Sequence, residues 1–541
     1  MLGDGEASAT LRDFPELANS TMGGIMEGTT SRCAGTYSRQ IFIGIFLVSS
    51  ILFGPLAAAA QTDLTGVWAM NLRAADGNVI NAYLDLKQSG EQVAGLMWYD
   101  YEKRPIRQGT FQNGKLHLEA VLWKVDPPPL AICDGTLQGD KLQLRVQFPN
   151  GAVGTGLAER TTPEALAPPA PLPLPELHDV ADNGLARTPP MGWNSWNKFA
   201  GRVDDITVRG VADAMVTSGM RDAGYIYINI DDTWEGPRDA QGNIAGNLKF
   251  PNMKGLVDYV HSKGLKIGIY SSPGPQTCGG YPGSFGHEEQ DAKTYAAWGF
   301  DYLKYDWCSA GRIYKDTEMQ AVYQKMGDAL LKSGRPIVFS LCQYGKDNVW
   351  TWGAKVGGNL WRTTDDIDDS WKRMDEIGFS QFTIASYWQI GHWNDPDMLE
   401  IGNGGMTADE YRTHMSLWSL LAAALLAGND LRSMSDETKS ILMNKEVIAI
   451  DQDTAGKPVK KISEQGSLVV AARPLKDKTW AVGLFNRGDA SAKMTVAWTD
   501  LGLHGKLEVR DLWAHKDLGK VANQFSADVP SHGVVLITVK H

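Results

Sequence analysis

From Thr188 onward the chain alternates short apolar, β-type runs with stretches of helical period, and it does so eight times. The runs are "MGWNSW" (191–196), "YIYINID" (225–231), "LKIGIYS" (265–271), "DYLKYDW" (301–307), "PIVFSLC" (336–342), "LWRTTDD" (360–366), "HWNDPDM" (392–398) and "AGNDLRS" (427–433). The intervening stretches carry helical signatures. Residues 206–222 place Val208, Val211 and Met215 on one face, and residues 253–262 do the same with Leu256, Val257 and Val260. Residues 407–426 open with Thr-x-x-Glu, a capping box. Eight βα units in roughly 270 residues predict an α/β fold of the closed (β/α)8 type rather than an open sheet.

All-β sequence flanks this region on both sides. Residues 64–158 hold alternating runs such as "GVWAMNL", "GKLHLEAVLW" and "DKLQLRVQF", separated by the turn signals Asp76-Gly77, Asn113-Gly114 and Gly139-Asp140. That pattern predicts an antiparallel meander, a small barrel or a sandwich. Within it "GTFQNGKL" nearly spells a phosphate-binding loop, but Leu116 stands where a hydroxyl is required and Gly114 falls in a hairpin turn. Beyond residue 457 the alternation returns in "SLVVAARPL", "WAVGLFNRG" and "GVVLITVK", predicting a C-terminal antiparallel β-sandwich. Between the first β region and the barrel, "PEALAPPAPLPLPEL" is proline-rich enough to act as a semi-rigid extended spacer. The expected organisation is an N-terminal β domain at 61–162, a linker at 163–186, a catalytic barrel at 187–457 and a β-sandwich at 458–541.

Residues 1–60 read as a long extension ending in a secretory signal. Arg32 and Arg39 precede the apolar run "IFIGIFLVSSILFGPLAAAA", and cleavage is expected near Ala60, with Met22 or Met26 as alternative starts. An uncleaved anchor is the competing reading, because the apolar run approaches a membrane span in length. Export to the periplasm or the medium follows from the first reading, with no membrane association once the signal is cut. A net charge of −11 without any Lys/Arg tract leaves no electrostatic footprint for nucleic acid. The sequence leaves the oligomeric state open.

Barrel enzymes build their sites at the C-terminal ends of the strands. Here those ends are rich in carboxylates: Asp231 and Asp232, Asp306, Asp365 and Asp366, Asp395 and Asp397, with Trp196, Tyr270, Arg362 and Asn429 around them. Aspartates also end strands as turn formers or helix N-caps, and Asp232 and Asp369 suit a cap. Asp306 shares a strand face with Lys304, whose cation is expected to lower its pKa, as suits a nucleophile. The neighbours Asp365, Asp368 and Asp369 are expected to raise that of Asp366, as suits an acid. Two carboxylates tuned in opposite directions are what glycosidic cleavage requires. Other chemistries fit less well. "HEEQD" has Asp291 where a zinc-binding HExxH needs its second histidine, no G-x-S-x-G elbow occurs, and "DDIDD" lacks the spacing of a calcium loop. No metal and no cofactor are therefore expected.

Seven ordered segments then resemble glycoside hydrolase family 27 of clan D, the α-galactosidase and α-N-acetylgalactosaminidase group. They are "RTPPMGWNSWNKF", "YINIDDTW", "HSKGLKIGIYSSPGPQTCGGYPGSFGHEEQDA", "LKYDWC", "WRTTDDIDDSW", "GHWNDPDMLEIGN" and "VIAIDQD". The resemblance implies a retaining double displacement on a (β/α)8 barrel. It assigns Asp306 as nucleophile and Asp366 as acid/base, Asp231 and Asp232 to the hydroxyls of the −1 sugar, Trp196 to a hydrophobic wall, and Tyr270, Lys304, Arg362 and Met398 to the pocket lining. It also implies a disulfide between Cys278 and Cys308.

The chain departs from the family pattern in three places. Gln343 stands where many α-galactosidases carry a glutamate that helps select galactose, so it is taken as a substrate-contacting residue of altered chemistry. A common family cysteine is missing near Gly357-Gly358-Asn359, which leaves Cys342 a free buried thiol. The β domain at 64–158 lies outside the common plan; binding carbohydrate, mediating assembly and stabilising the barrel are its candidate roles. The expected activity is exo-α-galactosidase on oligosaccharides or plant polysaccharides. The alternatives are a family relative such as a β-L-arabinopyranosidase, an α-N-acetylgalactosaminidase or an isomaltodextranase, or a non-catalytic sugar-binding protein.

Overall fold

A computed structural model of the chain describes residues 63–541, except residues 76, 78, 100, 101, 123–128 and 149–152. The expected signal segment, and Asp76 of the first turn signal, lie outside the described residues.

The first eight strands are β1 (Gly66–Ala74), β2 (Val79–Ser89), β3 (Gln92–Tyr99), β4 (Glu102–Gln112), β5 (Lys115–Val121), β6 (Leu130–Gln138), β7 (Lys141–Gln147) and β8 (Val153–Thr161). They form a closed antiparallel barrel in sequence order, with β1 pairing with both β2 and β8. Alternation drives closure, since every second side chain of β7 is buried and the others face water. Trp68, Leu84, Leu118 and Leu144 fill the interior. Asn113-Gly114 makes the β4–β5 turn with both residues at positive φ, 53° and 77°, which is the geometry a tight hairpin needs and a phosphate-binding loop does not.

The proline-rich stretch does not stand free as a spacer. Backbone N–H groups of Leu172, His178 and Val180 donate to Tyr314, Gln324 and the carbonyl of Lys355, and Asn183 bonds with Asn359. Extended chain leaves most of its carbonyls and non-proline N–H groups unpaired within itself, and the neighbouring barrel surface takes up several of them.

The parallel barrel comprises β9 (Met191–Asn194), β10 (Tyr227–Asn229), β11 (Lys266–Ser271), β12 (Tyr302–Asp306), β13 (Val338–Cys342), β14 (Leu360–Arg362), β15 (Trp393–Asp395) and β16 (Leu425–Ala427). All pairings are parallel, in the order β15-β14-β13-β12-β11-β10-β9-β16. A single parallel bridge, Leu399 to Ala427, closes the ring. The last strand lies earlier than the sequence predicts: "NDLRS" leaves the sheet, and Leu431–Ser433 is a 3-10 turn. The apolar residues just before it are buried, and Leu425–Ala427 takes the strand position instead. The first predicted helix ends early, at Thr217, and the second spans Met253–Ser262 as expected. In the helix Ala408–Leu421, Thr407 and Glu410 form the predicted capping box.

The C-terminal region pairs β17 (Lys460–Gln465), β18 (Leu468–Pro474), β19 (Trp480–Asn486), β21 (Lys506–Asp511), β22 (Lys516–Ala522) and β24 (Val534–Lys540) in one antiparallel sheet, while β20 (Ala492–Ala497) pairs with β23 (Gln524–Val529). Their shared core includes Val482, Val496, Trp498 and Ile537. Buried Arg473 anchors this unit on the parallel barrel by donating to the carbonyls of Lys457 and Ile450, both at 2.9 Å. Among the described residues no helix is long and apolar enough to cross a membrane.

Candidate active site

β12 ends at Asp306, whose carboxylate is 5% exposed. Tyr270 at the end of β11 donates its hydroxyl to Oδ2 at 3.1 Å, and Tyr344, just past β13, donates to Oδ1 at 2.6 Å. Burial pushes the Asp306 pKa up to about 6; Lys304 and the Tyr344 hydrogen bond pull it down, while Asp366 and Asp231 push it up. The expectation that Lys304 would keep this pKa low is therefore overturned. Lys304 acts in the expected direction, but desolvation outweighs it.

The direct partner of Lys304 is Asp231, with Nζ 2.8 Å from Oδ2. Asn194 donates to the same oxygen at 2.7 Å, and the backbone amide of Asp232 donates to Oδ1 at 2.9 Å. Lys304 also sits 5.4 Å from the centre of the Tyr270 ring. Asp232 is deeply buried and accepts from the amides of Thr233 and Gly279, each at 2.6 Å. Burial raises its pKa to about 7 against the pull of those bonds. Asp232 thus fastens the loop after β11 and caps no helix. Asp369 is not a cap either: it accepts from Gly405 and Tyr411, and Ser370 caps the helix that follows.

Asp366 is the outer carboxylate of the group, with a side chain 59% exposed. Buried Arg362 holds it at 3.1 Å through Nη2, and the same nitrogen lies 2.9 Å from Asp397. Asp397, at φ 85°, accepts from the amides of Ile367 and Met398. One guanidinium thus links β14, the loop carrying Asp366 and the segment after β15. A planar fork with several donors suits that task in a way an ammonium does not.

Met398 is buried and packs with Trp388, Trp393 and the partly buried Trp196. Trp196 itself is set by its backbone N–H donating to Asn194 Oδ1 at 2.8 Å. Gln343 is completely buried, and neither its amide nitrogen nor its carbonyl oxygen has a protein partner. Cys278 and Cys308 form a disulfide with Cα atoms 4.9 Å apart, and Cys342 is a buried free thiol. The two sulfurs and an Asp306 oxygen lie within 4.8 Å of one another. Soft-cation binding would need thiolates there, and the bond between the sulfurs removes them.

The described structure therefore gathers Asp231, Asp232, Tyr270, Lys304, Asp306, Arg362 and Asp366 through shared bonds or charges at the C-terminal ends of β10 to β14. Sequence reasoning missed Tyr344 as the shortest contact of Asp306, and Asn194 and Asp397 as partners of Asp231 and Arg362. The φ of 62° that aims Tyr344 leaves no mark in "CQYG".

A family model described as alpha galactosidase A matches residues 188–453, and one described as the alpha galactosidase C-terminal beta sandwich domain matches residues 465–539. An alpha-galactosidase of Cyamopsis tetragonoloba is 51% identical over 359 residues, covering 65% of this chain and 86% of the relative. The crystal structure of alpha-galactosidase I from Mortierella vinacea superposes with a TM-score of 0.65 at 41% identity, over 66% of this chain and 98% of that one. The Saccharomyces cerevisiae α-galactosidase solved with raffinose gives 0.62 at 27% identity, over 67% of this chain and all of that one. Both family models begin beyond the N-terminal barrel.

Proposed function

The chain belongs to the α-galactosidase A family, family 27 of the glycoside hydrolases, and on that premise we propose how its own residues divide the reaction. It is a glycoside hydrolase that removes terminal α-galactosyl residues. Asp306 attacks the anomeric carbon and forms a covalent galactosyl ester, while Asp366 protonates the departing glycosidic oxygen. Asp366 then takes a proton from water, which cleaves the ester and returns the sugar with its original configuration. The observation that carries this reading is the contrast between the two carboxylates: Asp306 is buried and fixed by two phenolic hydroxyls, whereas Asp366 is solvent-facing and tethered by Arg362. A nucleophile benefits from a fixed approach; an acid/base must exchange its proton with water.

With its pKa pushed up to about 6 by burial, Asp306 is in the attacking form at neutral pH. Asp231, Asp232 and Lys304 take the sugar hydroxyls, Trp196 and Met398 pack against the apolar side of the ring, and Gln343 supplies an amide to a hydroxyl beside it. Tyr270 and Tyr344 orient the nucleophile. Leaving groups are sugars of oligosaccharides or plant polysaccharides, and the protein reaches them after export.

Proton NMR of the first sugar released from p-nitrophenyl α-galactoside tests the mechanism. α-Galactose should appear first, and β-galactose first would overturn the double displacement. A panel with the α-N-acetylgalactosaminide and the β-L-arabinopyranoside tests the glycone; preference for either would overturn galactose.

A further inference from the structure

The N-terminal barrel touches the catalytic barrel where the galactose-binding loop is held. Tyr99, the last residue of β3, donates its hydroxyl to the carbonyl of Gly279 at 3.2 Å. The amide of that same Gly279 donates to Asp232 at 2.6 Å, and the residue before it is Cys278. Glu102, the first residue of β4, pairs with Arg312, in the short turn Ala310–Arg312 that follows Cys308. Adjacent strands of one barrel therefore grip the two segments that the disulfide joins, one on each side of it.

The approach is close. Gly280 has φ +81°, and a Cβ there would overlap the Tyr99 hydroxyl, so a larger residue would be strained and would push the tyrosine away. Each of the eight strands behind these residues pairs with two neighbours, which makes the support stiff.

We propose that the N-terminal barrel is a positioning element of the active site: Tyr99 and Glu102 fix the loops on either side of Cys278–Cys308, and through Gly279 they fix Asp232, so that galactose affinity depends on a domain with no part in the chemistry. This rests on the reading that Asp232 binds the sugar. Neither residue touches substrate; Tyr99 acts through Gly279, whose carbonyl it holds and whose amide holds a binding carboxyl. A residue held at both its amide and its carbonyl loses less freedom when the sugar arrives.

The test uses the full chain carrying Tyr99→Phe, Glu102→Gln, or both, with p-nitrophenyl α-galactoside as substrate and free galactose as inhibitor. The double variant should raise KM and the galactose inhibition constant together by about two- to tenfold, the value of a lost hydrogen bond. Its kcat should stay within about twofold of wild type, since the reacting carboxylates are untouched. Tyr99→Phe removes a single oxygen and serves alone if the double variant fails to fold. Unchanged KM and inhibition constant in a folded variant would overturn the proposal, and so would a loss confined to kcat and melting temperature. Wild-type turnover of the same substrate tests the functional reading separately.

Discussion

Tyr344 donates a 2.6 Å hydrogen bond to Oδ1 of Asp306, and it does so from a backbone conformation, φ 62°, that non-glycine residues seldom adopt. Burial carries the Asp306 pKa up to about 6, and that bond pulls against it. Tyr344→Phe removes the bond and leaves the burial, so the carboxyl must titrate higher. The acid limb of kcat/KM, which reports the free enzyme, should move to higher pH in the variant. A pH–rate profile whose acid limb stays in place would show that Asp306 does not control it.

In the roles proposed for them, the two carboxylates should fail differently. Asp306→Asn removes the attacking group and should cost about 10³-fold or more on every substrate. Asp366→Asn removes a proton donor, which p-nitrophenolate needs far less than a sugar alkoxide does. Rates on p-nitrophenyl α-galactoside and on melibiose, compared for each variant, would separate the roles. Equal losses on both substrates in Asp366→Asn would argue against an acid there.

Gln343 pits stability against binding. Its amide is buried with no protein partner, an arrangement that costs about 1–3 kcal/mol when left unsatisfied. Gln343→Leu should raise the melting temperature while raising KM for galactosides. A variant that binds galactose as well as wild type would remove Gln343 from the sugar site.

The Cys278–Cys308 bridge closes a loop across a separation of 30 residues. Chain entropy assigns such a closure about 3–4 kcal/mol. Replacing both cysteines with alanine should lower the denaturant midpoint accordingly and raise KM, because Asp232 and Asp306 flank the joined segments. An unaltered midpoint would place the stability of this region in its other contacts.

What the sequence disclosed, and what it hid, divides along the range of the interaction. The capping box at Thr407 and Glu410 and the Asn113-Gly114 turn are local, and both could be read directly. The carboxylates at the strand ends were equally visible, because barrel topology alone delivers Asp231, Asp306 and Asp366 to one rim. The direction of the Asp306 shift was not. Strand alternation puts Lys304 beside Asp306, but the ammonium meets Asp231, 73 positions away in the chain, and the depth of burial outweighs it. β16 was misplaced because its polar successor resembled the other strand ends, whereas the buried alanines and leucines before it resembled a helix end.

The pairing of β1 with β8 has a consequence for how such a chain could be assembled. An open sheet ends in strands whose free N–H and C=O groups invite a stranger's strand. A closed ring of eight has no such ends, so it can be placed ahead of a finished catalytic barrel without giving nascent chains a surface on which to stick together. It can then press a tyrosine against the catalytic loop while its own hydrogen bonding is already complete.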